Sequence, residues 1–337
     1  MATLDPALIK LLSISPSTSS KISSIGGGDS SASASKVTIT NEDGTSTQYF
    51  LKTGRGPSAA LMFAGEHASL NALSTAVPSM CPKSFGHGEF IDTPGKSFLL
   101  TEFLDLSSGG RSREKSQGPT SLAQKLAKLH TIPAPTPEGY EAPQFGFPVQ
   151  TCCGDTAQDN TFSSSWADIY ANSRLRFIVR EAERKNQGKD AELSIMVEEL
   201  CTRVVPRLIG DEHLNGGDGV TPVVVHGDLW SGNASRGKLP GMAKPEDVVF
   251  DSSACYAHSE YELGIMKMFG GFGGEFMREY HELVPKTEPK EEYEDRIKLY
   301  ELYHHLNHHA MFGGGYRSGA MGIMRSLVGK YGSDERS

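Results

Sequence analysis

Cysteine, long hydrophobic runs and an excess of basic charge are scarce or missing in this sequence. Only five cysteines occur, without a C-x-x-C pair: Cys81, Cys152, Cys153, Cys201 and Cys255. An odd number without that spacing argues against a disulfide framework and a zinc ribbon. No stretch approaches the roughly 20 apolar residues that cross a bilayer, and the segment around Asp5 lacks the basic start of a secretory signal. We therefore expect a cytoplasmic protein without a membrane partner.

The charge balance excludes a second class of partner. Lys and Arg number 33 against 41 Asp and Glu, which gives a net charge of −8 and a pI near 5.8. Nucleic acids attract basic surfaces, so a nucleic acid is not the expected partner. The length of 337 residues is about twice that of a typical domain, which predicts two domains or lobes.

The N-terminal segment combines a glycine cluster with a hairpin pattern. Residues 36–40 and 45–52 are β-branched or aromatic runs on either side of a turn, which predicts a β-hairpin. The preceding Ser/Gly-rich segment 13–35 is typical of a flexible linker. The alternative is a nucleotide-covering loop whose glycines are Gly26, Gly27 and Gly28.

A carboxylate lies among the core-facing positions of the next element. Residues 57–76 predict a helix that begins near Pro57. Four of its residues share one stripe: Phe63, Glu66, Leu70 and Leu73. Because a buried charge needs a partner, Glu66 either pairs with Lys52 on the preceding strand or reaches water at the helix edge.

A polar loop indicates where the lobes divide. The segment 107–119 follows a strand pattern that looks buried over 97–106. We predict an N-lobe over 1–104, a hinge and inserted loop over 105–119, and a C-lobe over 120–337.

Helical periodicity dominates the predicted C-lobe. It is visible over 162–184 and 189–209, and the pattern Ser259-x-x-Glu262 predicts a capping box at the start of a later helix. Longer strand patterns concentrate in the N-lobe. The predicted fold class is α+β, with a small β-rich N-lobe and a larger, mostly helical C-lobe.

Two acidic residues follow two consecutive short strand patterns, at 221–225 and 246–250. The first strand leads into HGDLWSGN, whose Asp228 and Asn233 have the spacing of the kinase catalytic loop. In that loop the Asp accepts the proton of the substrate hydroxyl and the Asn binds magnesium, while a later Asp binds the metal that bridges the phosphates. Asp251 fits the later position. Together with Lys52 on a strand and Glu66 on a helix, which come earlier in the chain, these residues predict metal-assisted phosphoryl transfer.

The motif set differs from that of protein kinases. The sequence has no G-x-G-x-x-G-x-V, no Phe-Gly after Asp251 and no A-P-E. The HGDxxxxN form instead resembles the aminoglycoside phosphotransferase and choline kinase group. Further segments resemble the fructosamine/ketosamine-3-kinase family, in addition to HGDLWSGN: TCCG at 151–154, FDSSACYAHSEYELG at 250–264, MFGGF at 268–272, LNH at 306–308 and YRS at 316–318.

This resemblance, from about Gly26 to Val328, implies a bilobal protein-kinase-like fold and a specific reaction. The implied reaction is ATP-dependent phosphorylation of O3 in ketosamines, the adducts that reducing sugars leave on protein lysines. The product is unstable, so the implied role is protein deglycation and repair, with glycated proteins or free glycated lysine as substrates. We expect ribulosamine to be a better substrate than fructosamine.

The resemblance also implies a role for individual residues. Lys52 would bind phosphate with Glu66 as its partner, and Asp228 would be the catalytic base. The implied magnesium ligands are Asn233 and Asp251. The implied adenine hinge is Glu102, Phe103 and Leu104. Serines stand where the family's glycine loop has a cysteine, which argues against a disulfide-linked dimer of that type.

The sequence leaves the roles of several residues open. Trp230 is either a packing anchor or a wall for the sugar, and His226 and His308 are further candidates for substrate contact. Cys152 and Cys153 are expected to be buried thiols rather than a redox pair.

Two alternatives to a ketosamine kinase stay open. One is a kinase for an amino-alcohol or an aminoglycoside. The other is a metal-binding module built on the paired histidines His304, His305, His308 and His309. A single helix supplies at most two zinc ligands well, so we favour substrate-pocket or packing roles for these histidines.

Overall fold

The computed structural model describes residues 4–25, 32–107, 120–186 and 188–332. The predicted glycine loop, Gly26, Gly27 and Gly28, lies outside the described residues, as does most of the predicted inserted loop.

The chain divides into two compact units. The first comprises Met1–Leu122 and Asn233–Ser252, and the second comprises Ala123–Gly232 and Ser253–Ser337. Asn233 and Asp251, which the sequence analysis assigned to the C-lobe, therefore belong to the first unit.

An antiparallel sheet forms the framework of the first unit. Its strands are β1 (Ser19–Ser24), β2 (Ser33–Thr40), β3 (Ser46–Arg55), β4 (Ser84–Glu89) and β5 (Lys96–Glu102), in the order β1-β2-β3-β5-β4. The predicted hairpin is confirmed as β2 and β3, which place Val37 opposite Tyr49. The linker reading is wrong for β1, which pairs with β2 along its whole length. Its polar sequence suits an edge strand.

Two helices pack on this sheet. The predicted helix is confirmed as α2 (Gly56–Ala76), with Phe63 1% exposed. The sequence analysis missed α1 (Pro6–Leu12), which Asp5 caps by accepting the N–H of Ala7 at 2.9 Å. The leucines of this region pack with Leu51 of β3, and each buried leucine contributes roughly 1.5–3 kcal/mol. Side chains alternate along a strand, so the residue after Leu51 points to the opposite face of the sheet.

The first unit also contains a two-stranded ribbon. Strand β9 (Ala234–Gly237) pairs with β10 (Glu246–Val249). The expectation that Asp228 and Asp251 follow consecutive strands is wrong, because β9 lies between the two in the chain.

The second unit is mainly helical. Its helices are α3 (Leu122–Thr131, whose first residue belongs to the first unit), α4 (Trp166–Asp168), α5 (Phe177–Lys185), α6 (Ala191–Glu199), α7 (Val205–Ile209), α8 (Glu262–Phe269), α9 (Gly274–Leu283), α10 (Tyr293–Phe312) and α11 (Tyr316–Tyr331). The π-helical segments Ile169–Arg176 and Leu200–Val204 join α4 to α5 and α6 to α7, which confirms the two predicted helical runs. Two short antiparallel pairs complete the unit: β6 (Cys152–Cys153) with β7 (Thr156–Ala157), and β8 (Val223–Val225) with β11 (Cys255–Ala257).

An aromatic core holds the helices of the second unit together. The indole N–H of Trp166 donates to the hydroxyl of Tyr300 at 2.9 Å. The ring of Tyr261 lies 5.4 Å from that of Trp166 and 5.7 Å from that of Tyr300. Such ring pairs contribute roughly 0.5–1.5 kcal/mol beyond their burial. This packing holds α8 against α10, and it also fixes the position of the residues between β11 and α8.

Within the described ranges, no helix combines the length and apolar character that a membrane span requires.

Candidate active site

The structure brings Lys52 and Glu66 together in the first unit. Lys52 Nζ donates to Oε1 and Oε2 of Glu66 at 2.6 and 2.8 Å. Both side chains are largely buried, with exposed fractions of 17% and 10%. Of the two readings of Glu66, the structure therefore shows the paired carboxylate and not the edge residue.

Lys52 has a second carboxylate partner in Asp251. Its Nζ lies 2.6 Å from Oδ1 of Asp251, whose backbone adopts the left-handed conformation with φ 58°. That conformation is unfavourable for a residue other than glycine, and such strain concentrates at functional sites. Burial acts to lower the pKa of Lys52, but Glu66 and Asp251 outweigh it and raise that pKa above its usual range. Lys52 is therefore a protonated ammonium.

Asn233 and Asp251 lie next to the same end of the β9–β10 ribbon in the first unit. Ala234 pairs with Val249, and the N–H of Phe250 donates to the carbonyl of Asn233 at 3.1 Å. Amide and carboxylate oxygens are the ligands that magnesium accepts, and this ion usually keeps waters and substrate phosphates as its other ligands. In the described part of the chain, no group of three or more His, Cys, Asp or Glu residues could hold a metal ion. The pair thus fits a magnesium ion that shares its coordination with phosphate, and does not fit a closed structural site.

A cavity of about 580 Å³ opens within the first unit. This volume is in the range typical of small-molecule sites. Its lining includes Lys52, Glu66 and Asp251 together with Glu102 and Leu104 of the predicted hinge, whereas Phe103 does not line it. The remaining lining residues are mostly apolar or lie on β1 and β2 and next to them: Ser24, Ile25, Ala32, Ser33, Ala34, Phe50, Leu70, Pro82, Thr101, Leu106 and Phe250.

The loop after β8 carries Asp228 in the second unit. Gly227 adopts φ +80°, and a Cβ atom there would lie 2.0 Å from the carbonyl oxygen of Ser253. The N–H of Ser253 donates to the carbonyl of His226 at 2.9 Å. Only glycine satisfies both the backbone conformation and the close approach, so residue 227 fixes the path of the chain into Asp228.

The sequence analysis missed Glu262, which anchors this loop. Its carboxylate is 1% exposed and accepts the backbone N–H groups of His226 and Gly227, the latter at 3.1 Å. Burial acts to raise the pKa of Glu262, but His130 and His226 outweigh burial and hold that pKa below its usual value. The capping-box prediction for Glu262 is wrong, because its side chain reaches the loop after β8. A carboxylate at the first position of the apolar helix α8 was the available signal, by the argument that applied to Glu66.

His226 lies behind the loop and supports Asp228. The His226 side chain is fully buried, and its Nδ1 accepts the backbone N–H of Asp228 at 3.3 Å. These are the contacts of a positioning residue. These observations do not test whether His226 contacts the substrate, which stays a prediction.

Trp230 and His308 contact the same ring. Trp230 is 39% exposed, and its ring lies 5.7 Å from that of Phe269, which lies 5.0 Å from the imidazole of His308. Burial lowers the pKa of His308, so this imidazole is neutral at pH 7. Gly271 has φ +97°, and a Cβ there would be 2.3 Å from Cβ of Ser231. The MFGGF segment is thereby packed against the loop after β8.

The vicinal cysteines are free thiols, as predicted. Cys152 is half-buried and Cys153 is buried. Burial raises the pKa of Cys152 to about 11 and that of Cys153 well above its usual value. Neither is a thiolate near pH 7, and the thiolate is the reactive form.

Comparison with known proteins identifies a family. The family model described as fructosamine kinase matches residues 5–330. A ketosamine-3-kinase from Mus musculus is 34% identical over 296 residues, which cover 82% of this chain and 87% of that protein. A chloroplastic protein-ribulosamine 3-kinase from Arabidopsis thaliana is 33% identical over 304 residues, which cover 90% of this chain and 81% of that protein.

Solved structures confirm the fold class. A protein described as a fructosamine-3-kinase from Haemophilus somnus aligns with a TM-score of 0.72 at 20% identity, over 97% of each chain. A thermostable aminoglycoside phosphotransferase variant, crystallised with AMP-PNP and hygromycin B, aligns with a TM-score of 0.51 at 14% identity, over 96% of this chain and 97% of that one. The chain therefore shares the fold of these two proteins.

Proposed function

The chain belongs to the fructosamine kinase family, and from that premise we propose that it phosphorylates O3 of ketosamines on lysine, which leads to deglycation and repair of the protein. The observation that carries this proposal is the cavity in which Lys52, Glu66 and Asp251 meet. A protonated lysine held by a carboxylate is what phosphoryl transfer needs for binding the phosphates.

The nucleotide occupies this cavity in the proposed mechanism. Adenine would lie against the part of the hinge that lines the cavity, Glu102 and Leu104. The ammonium of Lys52 binds the phosphates. Asn233 and Asp251 would hold magnesium, which neutralises charge on the transferring phosphoryl group when it is bound.

Asp228 acts as the general base. A new bond forms between the sugar O3 and the γ-phosphorus, the bond from that phosphorus to the β–γ bridging oxygen of ATP breaks, and ADP leaves. The proton of the O3 hydroxyl passes to the carboxylate of Asp228. The buried Glu262 and His226 hold the backbone from His226 to Asp228 in place by accepting its N–H groups, which keeps the base correctly oriented.

Aromatic side chains supply the substrate specificity that we propose. Trp230, two residues beyond the base, forms a partly exposed group of rings with Phe269 and His308. Ketosamines differ from free sugars by a cationic secondary amine, and aromatic faces attract cations. The similarity to the ketosamine-3-kinase from Mus musculus supports a ketosamine as the substrate. The similarity to the protein-ribulosamine 3-kinase from Arabidopsis thaliana favours ribulosamine.

A substrate panel tests the proposal. We expect ATP consumption with magnesium and ribulosyl-lysine, less with fructosyl-lysine, and none with choline or kanamycin. Mass spectrometry of glycated lysozyme should show a phosphate gain on the adduct, followed by loss of the adduct on warming. The matched control is Asp228→Asn, which should leave the adduct unchanged. Phosphate found only on choline or on the aminoglycoside would overturn the ketosamine assignment.

A further inference from the structure

We propose that Cys153 is a positioning residue for Asp228, and that its buried thiol donates an S–H hydrogen bond to the carboxylate of this base. The inference rests on the proposed function, since it takes Asp228 to be the base.

The distance and the burial of the two groups support the contact. Cys153 Sγ lies 3.8 Å from Oδ1 of Asp228, and Cys153 is 1% exposed. A thiol is a weak donor and a carboxylate is a strong acceptor. Because burial excludes water from the sulfur, the S–H group does not donate to solvent. Its acceptor is the carboxylate of Asp228.

The surroundings of Cys153 hold the sulfur in place. Cys153 pairs with Thr156 in the β6–β7 hairpin, and the side-chain amide of Asn307 donates to the Cys153 carbonyl at 3.1 Å. Gly154 has φ +59°, and a Cβ there would lie 2.7 Å from Sδ of Met311. The TCCG and LNH segments, which are 154 positions apart at Cys153 and Asn307, therefore meet behind the proposed base.

The protonation state of the thiol agrees with a donor role. Burial raises the pKa of Cys153 well above its usual value, and the adjacent negative charge of Asp228 raises it further. The sulfur therefore keeps its proton at neutral pH. This excludes Cys153 as a nucleophile or an easily oxidised thiolate and leaves it as a hydrogen-bond donor.

A donor on one carboxylate oxygen has two effects on the base. It fixes the rotation of the carboxylate, and it stabilises the charged form, which lowers the pKa of the acid. Loss of the donor should therefore move the acidic limb of the pH–rate profile to higher pH. A sulfur that only fills space would leave this limb unmoved.

The kinetic test compares Cys153→Ala and Cys153→Ser with the wild type. We expect Cys153→Ala to shift the acidic limb of kcat/KM for ribulosyl-lysine upward by about half a pH unit, with the KM for ATP unchanged. Cys153→Ser keeps a hydrogen-bond donor, so its acidic limb should lie closer to that of the wild type than the limb of Cys153→Ala does. Equal shifts in the two variants, or none in Cys153→Ala, would overturn the proposal.

A matched control is available in Cys201. This thiol is also buried, at 4% exposure, and its Sγ lies 3.7 Å from a backbone oxygen, that of Ala171. Cys201→Ala removes an equivalent S–H contact in the same unit. Its pH profile should match that of the wild type.

An infrared measurement tests the contact without turnover. The S–H stretching band assigned by its loss in Cys153→Ala should move to higher frequency in Asp228→Ala, because the acceptor is gone. If that band does not move, the hydrogen bond is absent and the inference is wrong. If the wild type phosphorylates no ketosamine, the proposed function fails, while the band still reports on the contact between Cys153 and Asp228.

Discussion

Lys52 Nζ lies 2.6 Å from Oδ1 of Asp251, so one ammonium connects β3 to the residue that follows the β9–β10 ribbon. The same nitrogen lies 2.6 Å from Oε1 of Glu66. In the proposed mechanism these two carboxylates have different tasks. Glu66 would hold Lys52 in place, whereas Asp251 would be a ligand of magnesium.

The first prediction concerns the pairing of Lys52 with Glu66. If Glu66 serves to hold Lys52, then Glu66→Gln should reduce kcat strongly in the wild type and by less than twofold in the Lys52→Met background. Residues that act as a unit give such non-additive losses. Steady-state kinetics of the two single variants and the double variant check this. Two independent and additive losses would contradict the pairing.

Asp251→Asn should change the dependence on magnesium. An amide is a weaker magnesium ligand than a carboxylate, so the magnesium concentration for half-maximal rate should rise about tenfold or more at fixed ATP. Lys52 also loses a charged partner, but the Lys52–Glu66 pair remains. A magnesium titration measures the effect, and an unchanged midpoint would remove Asp251 from the proposed metal site.

Asp228→Ala should abolish turnover and spare nucleotide binding. General base catalysis contributes roughly 10²–10⁴-fold, and lost positioning adds to the effect. ATP affinity should change little, because Asp228 acts on the hydroxyl and not on the nucleotide. Calorimetric ATP titration beside the rate assay separates the two. A variant that retains more than a tenth of the wild-type rate would show that Asp228 is not the base.

Part of this site was predictable from the sequence because charge burial constrains it. Glu66 lies in an apolar helical stripe and therefore needed a cation, which Lys52 supplies. The same argument applied to Glu262 would have detected it, but Ser259 three residues earlier favoured a capping box. Local patterns compete in this way, and only the fold shows that the carboxylate of Glu262 points to the loop.

Other features had no sequence signal. Strand β1 is mostly serine and lysine, so neither periodicity nor hydrophobicity distinguishes it from a linker. Its backbone is a strand because β2 supplies hydrogen-bond partners along its length. The contact of Cys153 with Asp228 likewise joins residues 75 positions apart, and no spacing rule connects them.

Glu262→Gln should reduce kcat beyond what its loss of stability explains. The amide replaces one acceptor oxygen with a donor that faces the backbone N–H of His226 or Gly227, which costs roughly 1–3 kcal/mol and disturbs the loop. We expect at least a tenfold fall in kcat for the folded enzyme.

The matched control for Glu262 is Glu260→Gln. Glu260 is similarly buried, at 2% exposure, but its carboxylate accepts from Arg296 at 2.7 Å and from the backbone N–H of Thr287 at 2.9 Å. This variant should lower the melting temperature while kcat at a temperature where it is folded stays near the wild-type value. Equal losses of kcat in both variants would contradict a specific role for Glu262.

Gly227→Ala tests whether the backbone path into Asp228 is as tightly constrained as the geometry indicates. Two costs add at this position: a positive φ, which costs an alanine roughly 1–2 kcal/mol, and a Cβ only 2.0 Å from the carbonyl of Ser253. Gly241 isolates the first cost, since it has φ +82° with nothing within 4 Å of its Cβ position. Denaturant unfolding should therefore show a small loss for Gly241→Ala and a clearly larger one for Gly227→Ala, with kcat reduced only in the second. If the two variants lose equal stability and keep equal rates, the contact with Ser253 does not constrain the loop.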